Sequence, residues 1–316
     1  MRVFRKILFS ICFLFSPLLS ATQAWIPKYD TLKLRLSGDY YKSSENFADD
    51  GDRTPFLYQN QKAALSEYEF AIETEYGFAK DWAAGIKLPL RNTFVQSSTA
   101  GYSDNFLSSF GMGDAAVSLT WLVVPGDSRL AIESLSTIPF YSADTFSTGE
   151  AALGDGTFST GIKLHGGHIM NGRYSFGLSP GYFFRFKKYS SRFTLDTTFG
   201  VAIKPVYFRL VSELILSTDA GNVPTTVTSN PSAGSGGSFA KLSAAPNLWN
   251  LGLVAGVFFY EQYRLELFFS QAILGSRAGY GYHAGLAFAT TFDFYKEEKK
   301  IQVKQVPFDA EPTPDK

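Results

Sequence analysis

The chain has one cysteine, Cys12, and three histidines among 316 residues. That excludes a disulfide scaffold and a cysteine-rich metal site. Charge is scarce too: Asp, Glu, Lys and Arg make up 18% of the chain, with 29 basic against 29 acidic residues. So even a balance leaves no electrostatic footprint for nucleic acid. No stretch holds 18 consecutive apolar residues, so no spanning helix is expected. There is no G-x-S-x-G nucleophile elbow. His165 and His168 stand three apart, and in a strand such positions face opposite sides and cannot share a metal. Asp49-Asp50-Gly51-Asp52 lacks the downstream Glu of a calcium loop and reads as a solvated acidic loop. Neither an enzyme nor a metal or cofactor is expected.

Aromatics, by contrast, reach 16% and hydrophobic residues 45%, a composition that folds. Residues 1–24 have the layout of a secretory signal peptide: basic Arg2, Arg5 and Lys6, an apolar run Ile7–Leu19, then small residues up to Ala24. Cleavage there removes Cys12 and leaves a chain that needs no disulfide in an oxidising compartment.

The dominant signal downstream is period two. In Thr31–Tyr41, Leu32, Leu34, Leu36 and Tyr40 alternate with Lys33, Arg35, Ser37 and Asp39. In Ser66–Phe78, Tyr68, Phe70, Ile72 and Tyr76 alternate with Glu67, Glu69, Glu73 and Glu75. Such alternation reads as strand with one apolar and one polar face. Twelve segments are predicted: 31–42, 64–78, 82–95, 113–124, 129–139, 157–169, 174–186, 192–204, 206–218, 247–260, 263–275 and 281–295. They are long for a globular protein and suit tilted membrane strands.

Connections alternate in length. Tight turns fall at 79–81, 125–128, 170–173, 204–205 and 261–262; most of the others, 43–63, 96–112, 140–156, 187–191, 219–246 and 276–280, are longer. The expected fold is an all-β, twelve-stranded antiparallel transmembrane barrel over residues 25–295, both termini periplasmic, in a Gram-negative outer membrane. Aromatics near the tight turns (Tyr76, Phe78, Trp82, Trp121, Tyr174, Phe176, Tyr260, Tyr263) and towards the other side (Phe110, Phe140, Phe158, Tyr182, Phe184, Tyr282) form two interfacial girdles. A soluble sandwich would leave long strands with open, aggregation-prone edges. The Ser/Gly-rich stretch 219–246 has two readings, a flexible surface loop or a constriction folded into the pore. The tail 296–316 loses the alternation and reads as a mobile periplasmic extension.

The inward face is expected to carry Lys33, Arg35, Lys87, Arg91, Lys163, Arg185, Arg209 and Arg264 against Asp39, Glu67, Glu69, Glu73, Glu75, Glu133, Asp196, Glu213, Glu266 and Asp293. A dry core does not hold so many charges, because each unpaired one costs several kcal/mol. A wet lumen does. Two readings stand: a polar path for passive passage of small solutes, and a structural or surface-interaction barrel closed by salt bridges. Twelve strands fall between a filled eight-stranded barrel and an open sixteen-stranded porin. The partners expected are outer-membrane lipid, small solutes and the barrel-assembly machinery, and no nucleic acid. Centring the turn 79–81 on Lys80 sets Glu69 opposite Arg91 and Glu73 opposite Lys87, with Glu67 and Glu75 left freer to meet solute.

Gly111-Met112-Gly113-Asp114, leading into AAVSLTWLV, resembles the G-x-G-D step of a family of outer-membrane barrels linked to the meta-pathway of phenol degradation. The turn Tyr76–Trp82, the strand Gly85–Leu90, Gly154-Asp155-Gly156-Thr157 and Pro180–Arg185 continue the likeness, over about residues 64–186. The resemblance implies a channel or uptake role for small, apolar compounds. It carries over no functional residue. The strand that ends at Phe292, Phe294 and Tyr295 stops 21 residues before the C-terminus, unlike the usual aromatic last residue of such barrels.

Overall fold

A computed structural model describes residues 26–48, 50–58, 61–97, 105–140, 151, 153–186, 189–218, 246–259 and 262–294. The expected leader, the 219–245 stretch and the tail from 295 lie outside the described residues.

The strands are β1 Thr31–Phe47, β2 Arg53–Pro55, β3 Leu57–Tyr58, β4 Gln61–Ala79, β5 Trp82–Ser97, β6 Asn105–Met112, β7 Ala115–Val124, β8 Ser128–Ile138, β9 Ser159–Met170, β10 Tyr174–Arg185, β11 Arg192–Ile203, β12 Val206–Ser217, β13 Asn247–Phe259, β14 Tyr263–Ser276 and β15 Ala278–Asp293. Strands β6 and β7 are two halves of one wall strand, and β2 and β3 are short pieces beyond the wall. The wall therefore has twelve antiparallel strands. It closes where β1 pairs with β15, from Thr31 opposite Asp293 to Phe47 opposite Ala278. A twelve-residue strand such as β9 spans roughly 40 Å at about 3.4 Å per residue. Tilted by about 40°, it crosses a hydrocarbon core of about 30 Å.

Closure pairs every wall strand but the β6 half-strand on both sides, and a sheet in lipid requires such pairing. The exterior is apolar: Ile162, Leu253, Leu267 and Leu286 are more than half exposed. Two aromatic bands frame it. Near the tight turns Trp82 stacks on Trp121 at 5.7 Å and Tyr263 on Phe288 at 5.9 Å. Towards the opposite rim Phe269, Tyr282, Tyr40, Tyr68 and Phe94 touch in a row across five strands. At the turn between β9 and β10, Asn171 and Gly172 both have positive φ, the conformation of a two-residue hairpin turn.

The register of β4 and β5 is as expected, with Glu69 opposite Arg91 and Glu73 opposite Lys87. A bulge between Tyr76 and Ala79 precedes the turn. The fourth wall strand differs from expectation. It begins at Asn105, inside the segment expected to be loop, and breaks at Gly113-Asp114 opposite Pro89. Pro89 has no N–H to donate; its carbonyl accepts from Gly113 N at 3.0 Å. Strand β8 ends at Ile138, opposite Ala115, so β6 has no second strand beside it among the described residues. On its inward face this strand meets Ala151, whose N donates to Ser109 Oγ at 2.7 Å. At the turn-side end, residues 26–30 run back over the inward face of β4. A Cβ at Gly77 would meet the Lys28 carbonyl, and Asp30 N donates to Gly77 O at 2.6 Å.

Candidate functional site: the inward face of the barrel

Alternation along each strand sets which side chains point inwards, and the register sets which of them meet. All eighteen expected charges occupy register positions on the face opposite the lipid-exposed residues. The structure joins most of them into ion pairs. On β4 and β5, Arg91 lies 2.6 Å from Glu69 and 3.6 Å from Glu67, and Lys87 lies 2.8 Å from Glu69 and 3.8 Å from Glu73. Arg35 on β1 continues the chain to Glu73 at 3.1 Å and to Glu266 at 3.5 Å. Glu266 is a hub. Arg209 sits 2.8 Å from it, Arg264 3.8 Å, and the Tyr207 hydroxyl donates to it. Lys33 pairs with Glu75 at 3.2 Å. The expectation that Glu67 and Glu75 stay freer is therefore corrected: each has its own cation, because Arg91 and Lys33 reach diagonally or from the other neighbouring strand.

A second group lies on β8 to β11. Lys163 pairs with Asp196 at 2.5 Å and Arg185 with Asp155 at 2.9 Å. His165 Nε2 lies 3.1 Å from Glu133, and its Nδ1 lies 2.8 Å from Ser179 Oγ. Glu213 accepts from Asn250 at 3.0 Å, and Asp39 lies 2.7 Å from His283. Asp293 is exposed at the turn-side end. His168 points outwards, bonded to Ser128 at 2.8 Å, while His165 is 1% exposed. Ser179, His165 and Glu133 place a hydroxyl, an imidazole and a carboxylate in sequence, yet all three are buried. They tie three strands together and offer a substrate no approach.

Several of these pairs skip a strand. Lys163 and Asp196 stand on either side of β10, Arg209 and Glu266 on either side of β13, Arg35 and Glu266 on either side of β15. What makes this possible is the size of the residue between. A Cβ at Gly181 would lie 2.6 Å from Lys163 Cγ, a Cβ at Gly256 would enter the Tyr207 ring, and β15 presents Ala287 and Ala289. Sequence reasoning passed over these small residues. Their signal is Gly or Ala repeated at inward parity on strands flanked by charged ones.

The loop-side mouth holds a feature the sequence reading did not contain. Phe56, 1% exposed, tucks among Tyr41, Ala63, Leu65, Val95, Leu107 and Ala151. Beside it residues 153–157 fold inwards: Arg91 donates to Leu153 O at 2.8 Å, Asp155 N to Asp114 Oδ2 at 2.7 Å, and Tyr189 OH to Asp155 O at 3.1 Å. The constriction considered for 219–246 lies outside the described residues except Pro246, whereas 153–157 does fold inwards. Towards the turn side, Lys33, Glu73, Glu75, Lys87 and Arg264 keep side-chain exposures of 30%, 26%, 26%, 30% and 31%.

No family model matches the chain, and no curated protein matches it. The phenol meta-pathway resemblance therefore stands only on its short motifs. Among solved structures, an outer membrane channel from Pseudomonas putida F1 is similar at a TM-score of 0.63 and 10% identity, covering 84% of this chain and 97% of that one. A NanC porin is a looser match, at a TM-score of 0.46 and 10% identity over 81% of this chain and 98% of that one. The first likeness, with the apolar exterior and closed wall, gives the chain the fold of an outer-membrane β-barrel.

Proposed function

We propose that the barrel sits in a Gram-negative outer membrane and passes small solutes passively through its polar interior. The carrying observation is the set of partly exposed charges on the turn side, Lys33, Glu73, Glu75, Lys87 and Arg264. In a closed barrel, inward charge that keeps a quarter or more of its surface is hydrated, and hydrated charge marks a water path. The signal-peptide layout of residues 1–24 supports export, and insertion by the barrel-assembly machinery would follow. Near balance of inward charge predicts weak ion selectivity.

The second reading is a barrel closed by its own contacts, in a structural or surface-interaction role. Phe56 and the 153–157 segment favour it, because both fill the loop-side mouth. Swelling of liposomes that contain the folded protein separates the two. Entry of small neutral and charged solutes supports the channel. No swelling, with residues 48–60 between β1 and β4 deleted as well, supports the closed barrel.

A further inference from the structure

All eight expected inward cations lie within 4 Å of a carboxylate. Arg192 is a ninth, and it differs. It opens β11 at the parity of Asp196 and stands opposite Phe183. Its guanidinium lies over the Phe183 ring, 5.6 Å from the centroid. Among the described residues it has no carboxylate partner, and its Nε is buried without a hydrogen-bond acceptor. Two positions along the same face, roughly 7 Å away at about 3.4 Å per residue, the Thr194 hydroxyl is also buried and unbonded. Nothing in the ion-pair network explains an arginine placed this way.

A guanidinium is a planar fork of donors whose best partner is a planar oxyanion held by two parallel hydrogen bonds. Resting on a ring leaves that fork in plane to receive one. The adjacent hydroxyl supplies a further donor. We propose that Arg192, with Thr194 beside it and Phe183 beneath it, is a subsite on the solute path for the carboxylate end of a small organic acid. This rests on the reading of the barrel as a channel and adds a solute class to it. Lys163, 5.9 Å from the same ring, is held by Asp196, so this neutral pair leaves Arg192 as the cation that meets the ligand.

The test is titration calorimetry of the full, folded barrel in detergent micelles with three probes: benzoate, the uncharged isostere benzamide, and inorganic phosphate. Saturable benzoate binding is expected, with benzamide weaker by about tenfold or more, which is about 1.4 kcal/mol or more. Arg192→Gln should cost benzoate a similar factor, Arg192→Lys less, and Thr194→Val a few-fold. Benzoate affinity unchanged in Arg192→Gln, or matched by benzamide, overturns the subsite. Phosphate that competes as well as benzoate overturns the assignment to an organic acid. If Arg192→Gln fails to fold, Thr194→Val and the benzamide comparison on the unaltered barrel still decide. Conductance is measured on the same preparation. A barrel that conducts but shows no saturable benzoate binding loses the subsite alone; one that binds benzoate through Arg192 but does not conduct loses the channel alone.

Discussion

Arg35 on β1 reaches across β15 to Glu266 on β14, with Nε 3.5 Å from Oε2. The residue between them on the inward face is Ala287, fully buried and opposite both Ser37 and Glu266. The bridge at the barrel seam depends on that methyl group staying small. Ala287→Leu would drive a branched chain between the partners, and overpacking of this kind costs about 1–3 kcal/mol. The midpoint of unfolding in detergent, followed by the heat-dependent gel shift of folded barrels, should fall. A midpoint equal to that of the unaltered protein would sink the claim that small residues carry the strand-skipping pairs.

Three arginines and the Tyr207 hydroxyl meet at Glu266. Glu266→Gln leaves Arg35, Arg209 and Arg264 with their common acid neutralised. Removing one partner from a buried ion pair costs about 3–5 kcal/mol, so this variant should lower stability more than Glu75→Gln, whose carboxylate pairs with Lys33 and is 26% exposed. Urea unfolding of the two variants side by side reads the difference. Equal midpoints would contradict the hub.

Phe56→Ala should enlarge the loop-side mouth. Its ring is 1% exposed within an inward apolar cluster, and no wall strand contains it. Single-channel current through the variant is expected to rise, with strand content by circular dichroism unchanged. A current no larger than before would remove Phe56 from the constriction.

The topology follows from the turns. Thr31 and Asp293 stand side by side at the short-turn end, and since outer-membrane barrels keep their short turns in the periplasm, the proposed orientation puts both there. Protease applied to intact cells should cut within 43–63 or 219–246. Cleavage confined to 296–316 would reverse the orientation.

The wall was legible in sequence because lipid outside and charge inside impose period two with high contrast; β4 alternates Tyr, Phe and Ile with Glu over most of its length. Strand β6 was not, because its inward positions are Leu107, Ser109 and Gly111, and short runs ending in glycine read as loop. The hairpin register of β4 and β5 was recoverable from one turn and two charge pairs. Pairing across a skipped strand was not, since a sequence shows which face a residue takes but not which non-adjacent strands approach over a glycine. Glu67 and Glu75 were expected to be freer for another reason: one hairpin shows neither the diagonal reach of Arg91 nor the other neighbour of β4, whose Lys33 stands opposite Glu75. Arg192 escaped notice as the first residue of its strand, where parity is hardest to assign. The inward fold of Ala151 and residues 153–157 left no periodic signal at all; their hydrogen bonds to Arg91, Ser109, Asp114, Arg185 and Tyr189 reveal it.

The most direct measurement is single-channel conductance of the folded protein in planar lipid bilayers. The account predicts discrete, small current steps with little preference between cations and anions, larger after removal of the Phe56 ring. Folded protein that gives no current, with residues 48–60 deleted as well, would contradict the channel and leave a barrel closed by its own side chains.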